Sequence, residues 1–377
     1  DEVVVTALNI RRDKRSVSYS AQTVDGDKLT ISRETNIASA IAGKVAGVQI
    51  VGSPSLTFGA PNIRIRGVNT LEGGDVRNDL DPARINPVGP LYVLDGTPVD
   101  ARAINMDNVE NISVLKGAAA TALYGQRAVG GVVLVTSRKE KKNAAPVVEL
   151  TSAFSFERVG TLPDYQNEYA GGYSGDFIQF EYDAGRHPAD WAAFNGQKII
   201  EYYADESWGP KMDGREYRPY WSWFPGPDFG KTERLTPRPD NVREFFETGL
   251  TFNNNISVSG GDSNYTYRLT YNNLNRTTPL PNSRQNRNFV TASGTFDLTK
   301  KITLHNNINF QSISQQGNFL QGYGSGITPS FNQWFQRQLD IKRLRNYKNP
   351  DGTFNSWNIL GPDDYDPEDP TGFLRPL

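Results

Sequence analysis

The sequence of 377 residues contains no cysteine, only two histidines and only two methionines. Without cysteine there are no disulfides, no thiolate metal sites and no thiol nucleophile, as suits a protein of the cell envelope. The two histidines, His187 and His305, lack any patterned partner. Histidine-based metal or acid–base chemistry therefore has almost nothing to work with. No long apolar run exists either: the longest, Val132 to Val135, is strand-sized, far short of the ~18 residues of a membrane helix. A helical membrane protein is excluded. A membrane β-barrel is not, because each of its strands hides the lipid face in every second residue. An excess of charge is missing too. Forty basic against 42 acidic residues leave a net charge of -2, and no basic stripe stands out, so nucleic acid is not an expected partner. No leader peptide is visible. The chain opens on Asp1-Glu2-Val3-Val4-Val5, which reads as a mature or trimmed start.

What is abundant is glycine (35), proline (23) and aromatic residues (11%), the composition of turn-rich β structure. Two regimes follow one another. Up to about residue 140, short apolar runs alternate with glycines. A helix is predicted over Glu34–Lys44, and strands over Val45–Val51, Asn62–Arg66, Leu91–Leu94, Ile112–Leu115 and Val132–Thr136, with an Ala-rich helix at Ala118–Tyr124. Strands interleaved with short helices predict a small α+β domain. The charged stretch Arg138-Lys-Glu-Lys-Lys-Asn143 reads as a solvated joint.

After Pro146 the period becomes two. Apolar Val148, Leu150, Phe154 and Phe156 alternate with polar residues, and so do Leu250, Phe252, Ile256 and Val258. Three more runs repeat the pattern: Tyr265–Tyr271, Val290–Leu298 and Ile302–Phe310. Each spans about ten residues, the length that crosses a bilayer at barrel tilt. A soluble sandwich also alternates. Here, however, the polar face is Asn, Thr, Ser and Gln rather than Lys and Glu, and short connections (260–264, 299–301) alternate with long ones (157–247, 276–288, beyond 313). That asymmetry marks an outer-membrane barrel. Five strands leave two open edges, which hydrocarbon forbids, so the barrel is expected to be incomplete in this chain.

Candidate site residues fall in three places. Asp95-Gly96-Thr97-Pro98 is a tight turn, in which Asp95 either caps or binds an ion. Arg64 and Arg66 lie on one side of their strand, where they would either latch onto wall carboxylates or be solvated. Trp191, Trp208, Trp221 and Trp223 crowd the longest connection. They would pack the core of an ordered extracellular lobe or offer a stacking surface to sugars or peptides. No cofactor is expected, with one reservation: Asp363, Asp364 and Asp366 would suit Ca²⁺ or simply be solvated, and they lack EF-hand spacing. No catalytic constellation exists, so an enzyme is not expected.

Five phrases then stand in order: Ile63-Arg-Ile-Arg-Gly-Val68, Pro90-Leu-Tyr-Val-Leu-Asp-Gly-Thr-Pro-Val99, Val109-Glu-Asn-Ile-Ser-Val-Leu-Lys-Gly117, Ala118-Ala-Ala-Thr-Ala-Leu-Tyr-Gly125 and Gly130-Gly-Val-Val-Leu-Val-Thr136. Together they resemble the plug domain of TonB-dependent outer-membrane transporters, more specifically the SusC/RagA branch found in Bacteroidota. The resemblance implies an α+β plug (16–140) followed by the first part of a transmembrane β-barrel with long extracellular loops (146–377). The full barrel would have about 22 strands. It also implies a Ton box at Val3, Val4, Val5, Thr6 and Ala7 within a mobile segment 1–15. Such a segment would grip TonB by β-augmentation, or else be a disordered terminus. A SusD-like surface lipoprotein as lid, outer-membrane lipid, and an oligosaccharide or peptide substrate complete the implied partners. The rival reading is a SusC-shaped barrel that only scaffolds an outer-membrane assembly or secretion complex.

Overall fold

The computed structural model describes residues 3–5, 11–13, 21–30, 34, 36–51, 58, 62–67, 89–116, 124–317 and 330–376. The chain divides into two compact units, 1–158 with 248–318, and 159–247 with 319–377.

The first unit begins with a two-stranded ribbon, β1 (Val3–Val5) against β2 (Arg11–Asp13). Strands β3 (Ala21–Asp25), β4 (Val48–Val51), β5 (Asn62–Ile65), β6 (Leu91–Leu94), β7 (Thr97–Val99), β8 (Val109–Leu115) and β9 (Val132–Ser137) follow. Five of them form a mixed sheet of order β3-β8-β9-β6-β7, with β6 and β9 parallel and the other pairs antiparallel. Val132–Ser137 is buried on both faces, which explains its unbroken apolar run. On one side of the sheet pack α1 (Gly26–Thr30) and α2 (Ile37–Ile41), with Leu29, Ile37 and Ile41 against Ile63, Ile112, Val114 and Val133. On the other lie Val93, Leu115, Ala128 and Leu134. The predicted helix over Glu34–Lys44 shrinks to α2 for a local reason. Asn36 caps it, its side chain accepting from Ser39 N at 2.9 Å, and Gly43, at φ 69°, stands just past its end. The Ala-rich stretch predicted as a helix lies, up to residue 123, outside the described residues. Gly131 is required where it stands: at φ 97°, an added Cβ would sit 2.7 Å from Ile65 Cδ1.

The same unit carries the wall. Strand β10 (Val147–Glu157) starts it. The excursion that follows contains only two-residue strands, β11 (Ile178–Gln179), β12 (Lys198–Ile199), β13 (Glu216–Tyr217) and β14 (Glu233–Arg234). Then come β15 (Gly249–Gly261), β16 (Tyr265–Arg276), β17 (Arg284–Thr299) and β18 (Ile302–Gln316), all antiparallel in the order β10-β15-β16-β17-β18. β16–β18 are longer than the hydrophobic alternation predicted. Side-chain hydropathy stops alternating where apolar solvent ends, whereas the backbone ladder continues through Asn273–Arg276, Arg284–Asn288 and Gln311–Gln316.

One face of the wall is apolar and uncovered: Leu150 is 75% exposed, Phe156 66%, Ile308 58% and Phe310 62%. A continuous apolar face of this kind cannot be left to water; it is the lipid side of an incomplete transmembrane barrel. The other face is buried on β15–β17, with Thr251, Asn255, Ser257, Thr270 and Asn272, and there it covers the plug. The two short turns (262–264 and 300–301) share a rim with the joint out of the plug. There Gly261 N donates to Ala144 O at 3.0 Å, and Lys142 pairs with Asp297.

The second unit is held by an aromatic core: Phe180, Trp191, Tyr202, Tyr220, Trp223 and Phe224 packed with Leu339, Ile359, Phe373 and Leu374. Its small helices are α3 (Asn241–Phe245) and α4 (Ile341–Leu344). Residues 330–376, within the long connection expected beyond 313, supply part of that core.

Candidate functional site: the plug–wall interface

Two side-chain-capped turns build the plug's contact surface. Asp100 accepts from Arg102 N at 2.7 Å and Asn105 accepts from Asp107 N at 3.1 Å, each through a side-chain oxygen. Such Asx caps fix the backbone without tertiary help. Together they shape the loop 100–108 so that the Arg102 carbonyl, Asp107 and Asn108 project at the wall. Arg102 also closes on Asp100 by a 3.0 Å ion pair, and this hydrogen bond first of all holds the Asp100 carboxyl below the usual carboxylate range.

The wall answers with amides and guanidinium groups. Asn253 on β15 and Asn272 on β16 donate to the same Asp107 oxygen at 2.8 and 3.0 Å, and Asn272 also donates to Asn253 Oδ1 at 2.7 Å. Arg268, only 7% exposed, donates to Asn108 Oδ1 at 3.3 Å and to Glu149 Oε2 at 3.1 Å, with Ser257 at 3.1 Å completing its shell. Arg287 donates to the Arg102 carbonyl. Arg276 places its guanidinium 5.5 Å from the ring centroid of Phe58 in the plug.

A second contact lies at the turn. Asp95, at φ 47°, accepts from Ser137 N at 3.0 Å, from Ser137 Oγ at 2.5 Å and from Asn307 on β18 at 2.7 Å. Thr291 and Asn309 extend this chain across the wall, each link at 3.0 Å. Asp95 was expected to cap or to bind an ion; it caps Ser137 and also reaches the wall. Gly96 follows at φ 89° with open space around it, so the turn needs it for backbone freedom alone.

Within the described residues, neither Arg64 nor Arg66, expected either to latch onto wall carboxylates or to be solvated, meets a carboxylate of the five strands of wall. Arg64 is half-buried on β5. Arg66 is exposed, and among the described residues neither forms an ion pair. Arg66 instead stands beside another cation, Lys116, whose pKa is lowered by its burial and then by Arg66. In the contacts that are seen, the plug supplies carboxylates, an amide and a carbonyl, and the wall supplies cations and amide donors. The signal that could have found this was the Asn-rich inward face of β15–β18 together with the paired turns Asp100-Ala-Arg and Asn105-Met-Asp.

The four tryptophans separate. Trp191 and Trp223 are 4% and 1% exposed in the lobe core, with Trp223 Nε1 donating to Tyr202 OH at 2.8 Å; they pack rather than face a substrate. Trp221 is half-buried under Arg343, 4.1 Å from its ring centroid. Trp208 is 63% exposed, with Tyr169 against it. Arg218 is fully buried, and among the described residues it has no carboxylate partner. It lies 3.7 Å from the Phe194 centroid and donates to Gln197, Ser222 and Gly230 O at 2.8, 2.6 and 3.0 Å; burial draws its pKa down to about 10. For Asp363, Asp364 and Asp366, no group of three acidic or imidazole side chains among the described residues is placed to hold a metal. Val3–Val5 is a strand; Thr6 and Ala7 lie outside the described residues.

The comparisons converge on the same plug. The family model of the TonB-dependent Receptor Plug Domain matches residues 13–132. SusC of Bacteroides thetaiotaomicron, a TonB-dependent receptor, is 28% identical over 71% of this chain and 22% of SusC. Residues 13–132 are a TonB-dependent receptor plug domain, and the chain that carries it is similar to receptors of the SusC/RagA type. The TonB-dependent receptor P26 of Formosa agariphila is 26% identical over 87% of this chain and 28% of P26. The fold of this chain matches that of the RagAB peptide importer in its open-open state, with a TM-score of 0.62 at 21% identity over 87% of this chain and 34% of that one. The chain thus spans about a quarter of the length of these curated relatives. Its place is the outer membrane, where the bare apolar face of the wall meets lipid.

Proposed function

We propose that the receptor containing this chain imports oligosaccharides or peptides too large for porins, using TonB as its source of work and a SusD-like surface lipoprotein as its lid. The observation that carries this reading is the way the plug is seated. Described plug and wall side chains meet through several separate hydrogen bonds, each worth about 1 kcal/mol, or about 1.5–3 where one group is charged. A seat of this kind holds at rest, and force applied at one end of the plug can break it contact by contact. The two-stranded sheet of β1 and β2 leaves one edge of Val3–Val5 unpaired within that sheet, which suits strand addition by TonB. The RagAB structure is that of a peptide importer, which supports import over pure scaffolding. On the outer side, Trp208 is the tryptophan left available to a ligand. Deletion of Val3–Ala7 in the producing cell tests the proposal. Loss of nutrient uptake with normal assembly supports import; unchanged uptake with defective assembly of an outer-membrane complex gives the scaffold reading instead.

A further inference from the structure

The strand register arranges the lipid face in rows that cross all five strands. Leu150, Ile256, Tyr271, Val290 and Phe310 are mutual register partners, and so are Val148, Val258, Leu269, Ala292 and Ile308. Both rows are wholly apolar apart from the Tyr271 hydroxyl. The next row, one step toward the long-loop rim, is polar on every strand: Ser152, Asn254, Asn273, Asn288 and Ser312. On β16–β18 the row beyond it continues with Asn275, Asn286 and Ser314, and exposed Arg284 stands beyond Asn286 on the same face of β17.

Four of these asparagines close a ring. Asn273 donates to Asn288 at 2.8 Å, Asn288 to Asn286 at 2.8 Å, Asn286 to Asn275 at 2.7 Å and Asn275 back to Asn273 at 2.7 Å. Tyr271 OH adds a donor to Asn288 at 2.9 Å, and Ser152 donates to Asn254 at 2.7 Å. Each ring asparagine spends one N–H within the ring. An amide carries two N–H donors and an oxygen with two lone pairs, so a second donor remains on each. Uncharged donors and acceptors in pairs, immediately next to apolar rows, match an amphiphile whose acyl chains meet hydrocarbon and whose headgroup is a sugar. Arg284 adds a cation where an acidic group on such a headgroup would fall. An anionic phospholipid headgroup would call for a cluster of cations instead. The long-loop rim is the cell-exterior rim of an outer-membrane barrel.

We propose that the asparagine ring with Arg284 is a docking site for the saccharide headgroup of an acidic glycolipid of the outer leaflet. The test uses the whole receptor in nanodiscs, either of phosphatidylethanolamine alone or with added lipopolysaccharide. This chain has no cysteine, so once any cysteine elsewhere in the receptor is replaced by serine, a single reporter placed by Ser314→Cys can be labelled with a membrane-impermeant maleimide. The expected result is labelling slowed about tenfold by lipopolysaccharide, equivalent to about 1.4 kcal/mol, and unaffected by the free core oligosaccharide. Adding Asn273→Ala, Asn286→Ala and Arg284→Gln should abolish the protection. Equal labelling in both nanodiscs, or protection by the free sugar alone, overturns the proposal. Should the multiple variant not fold, Arg284→Gln alone decides, with loss of the salt-sensitive part of the protection expected and unchanged protection counting against the site.

Discussion

Asp107 gives the sharpest test of how the plug is held. It is a half-buried plug carboxylate that takes hydrogen bonds from two wall amides, Asn253 and Asn272, at 2.8 and 3.0 Å. Asp107→Ala removes both bonds and leaves the wall amides facing an apolar methyl. A hydrogen bond to a charged group contributes about 1.5–3 kcal/mol. The two share one oxygen and one neighbour, so their loss is taken as about 3 kcal/mol rather than the sum. That is roughly two orders of magnitude in the ratio of unseated to seated plug. Asp107→Asn keeps the shape and an acceptor but not the charge, and should fall between. The control is Asp25→Ala: among the described residues its carboxylate pairs with Lys28 alone, both side chains 70% exposed, and such pairs contribute about 0–1 kcal/mol. Single-receptor conductance in planar bilayers under increasing urea reads the plug directly. The Asp107→Ala plug should open at clearly lower urea than that of Asp25→Ala. Identical opening curves for the two variants, with both barrels folded, would refute the claim that this contact seats the plug.

Three further outcomes are expected. Asp95→Ala removes three hydrogen bonds, to Ser137 N, Ser137 Oγ and Asn307. It should destabilise the plug by about 2–3 kcal/mol, read by protease cleavage in 89–100; Asp95→Gly, which also frees the φ of 47°, should cost less. Trp223→Ala empties a fully buried site and should cost about 3–5 kcal/mol, collapsing the lobe to protease, whereas Trp208→Ala should leave its protease resistance unchanged. His187 is buried with Nδ1 accepting from Asp183 N at 3.0 Å, and burial first of all lowers its pKa. Unfolding therefore takes up a proton as pH falls through about 6.5. The contribution of His187 is complete above that pH and lost progressively below it, so tryptophan-monitored unfolding should show a stability drop from pH 7.5 to 5.5 that His187→Phe flattens.

Much of the wall was legible in the sequence, because barrel strands obey a single rule: alternate residues meet lipid. Leu250, Phe252, Ile256 and Val258 declare their face without help from any other segment. The plug sheet was legible for a related reason, since Val132–Val135 can only be a strand buried on both sides. Short turns were legible wherever one residue imposes the geometry, as Asp95-Gly96 does.

Tertiary structure alone decided which polar groups meet. Asp107 comes to Asn253 and Asn272 across separations of 146 and 165 residues, and no local pattern encodes that choice of partner. Arg64 and Arg66 stand out in the sequence and Asp107 and Arg268 do not: charge on an alternating strand is visible there, whereas the direction in which a capped turn aims a carboxylate is not. The lobe is the same case. Trp191 and Trp223 share their core with Leu339, Ile359, Phe373 and Leu374 from residues 330–376, a meeting that no local pattern announces. The asparagine ring needs the register of β16 against β17, because asparagines two apart on one strand become a closed circuit only when a second such pair stands opposite.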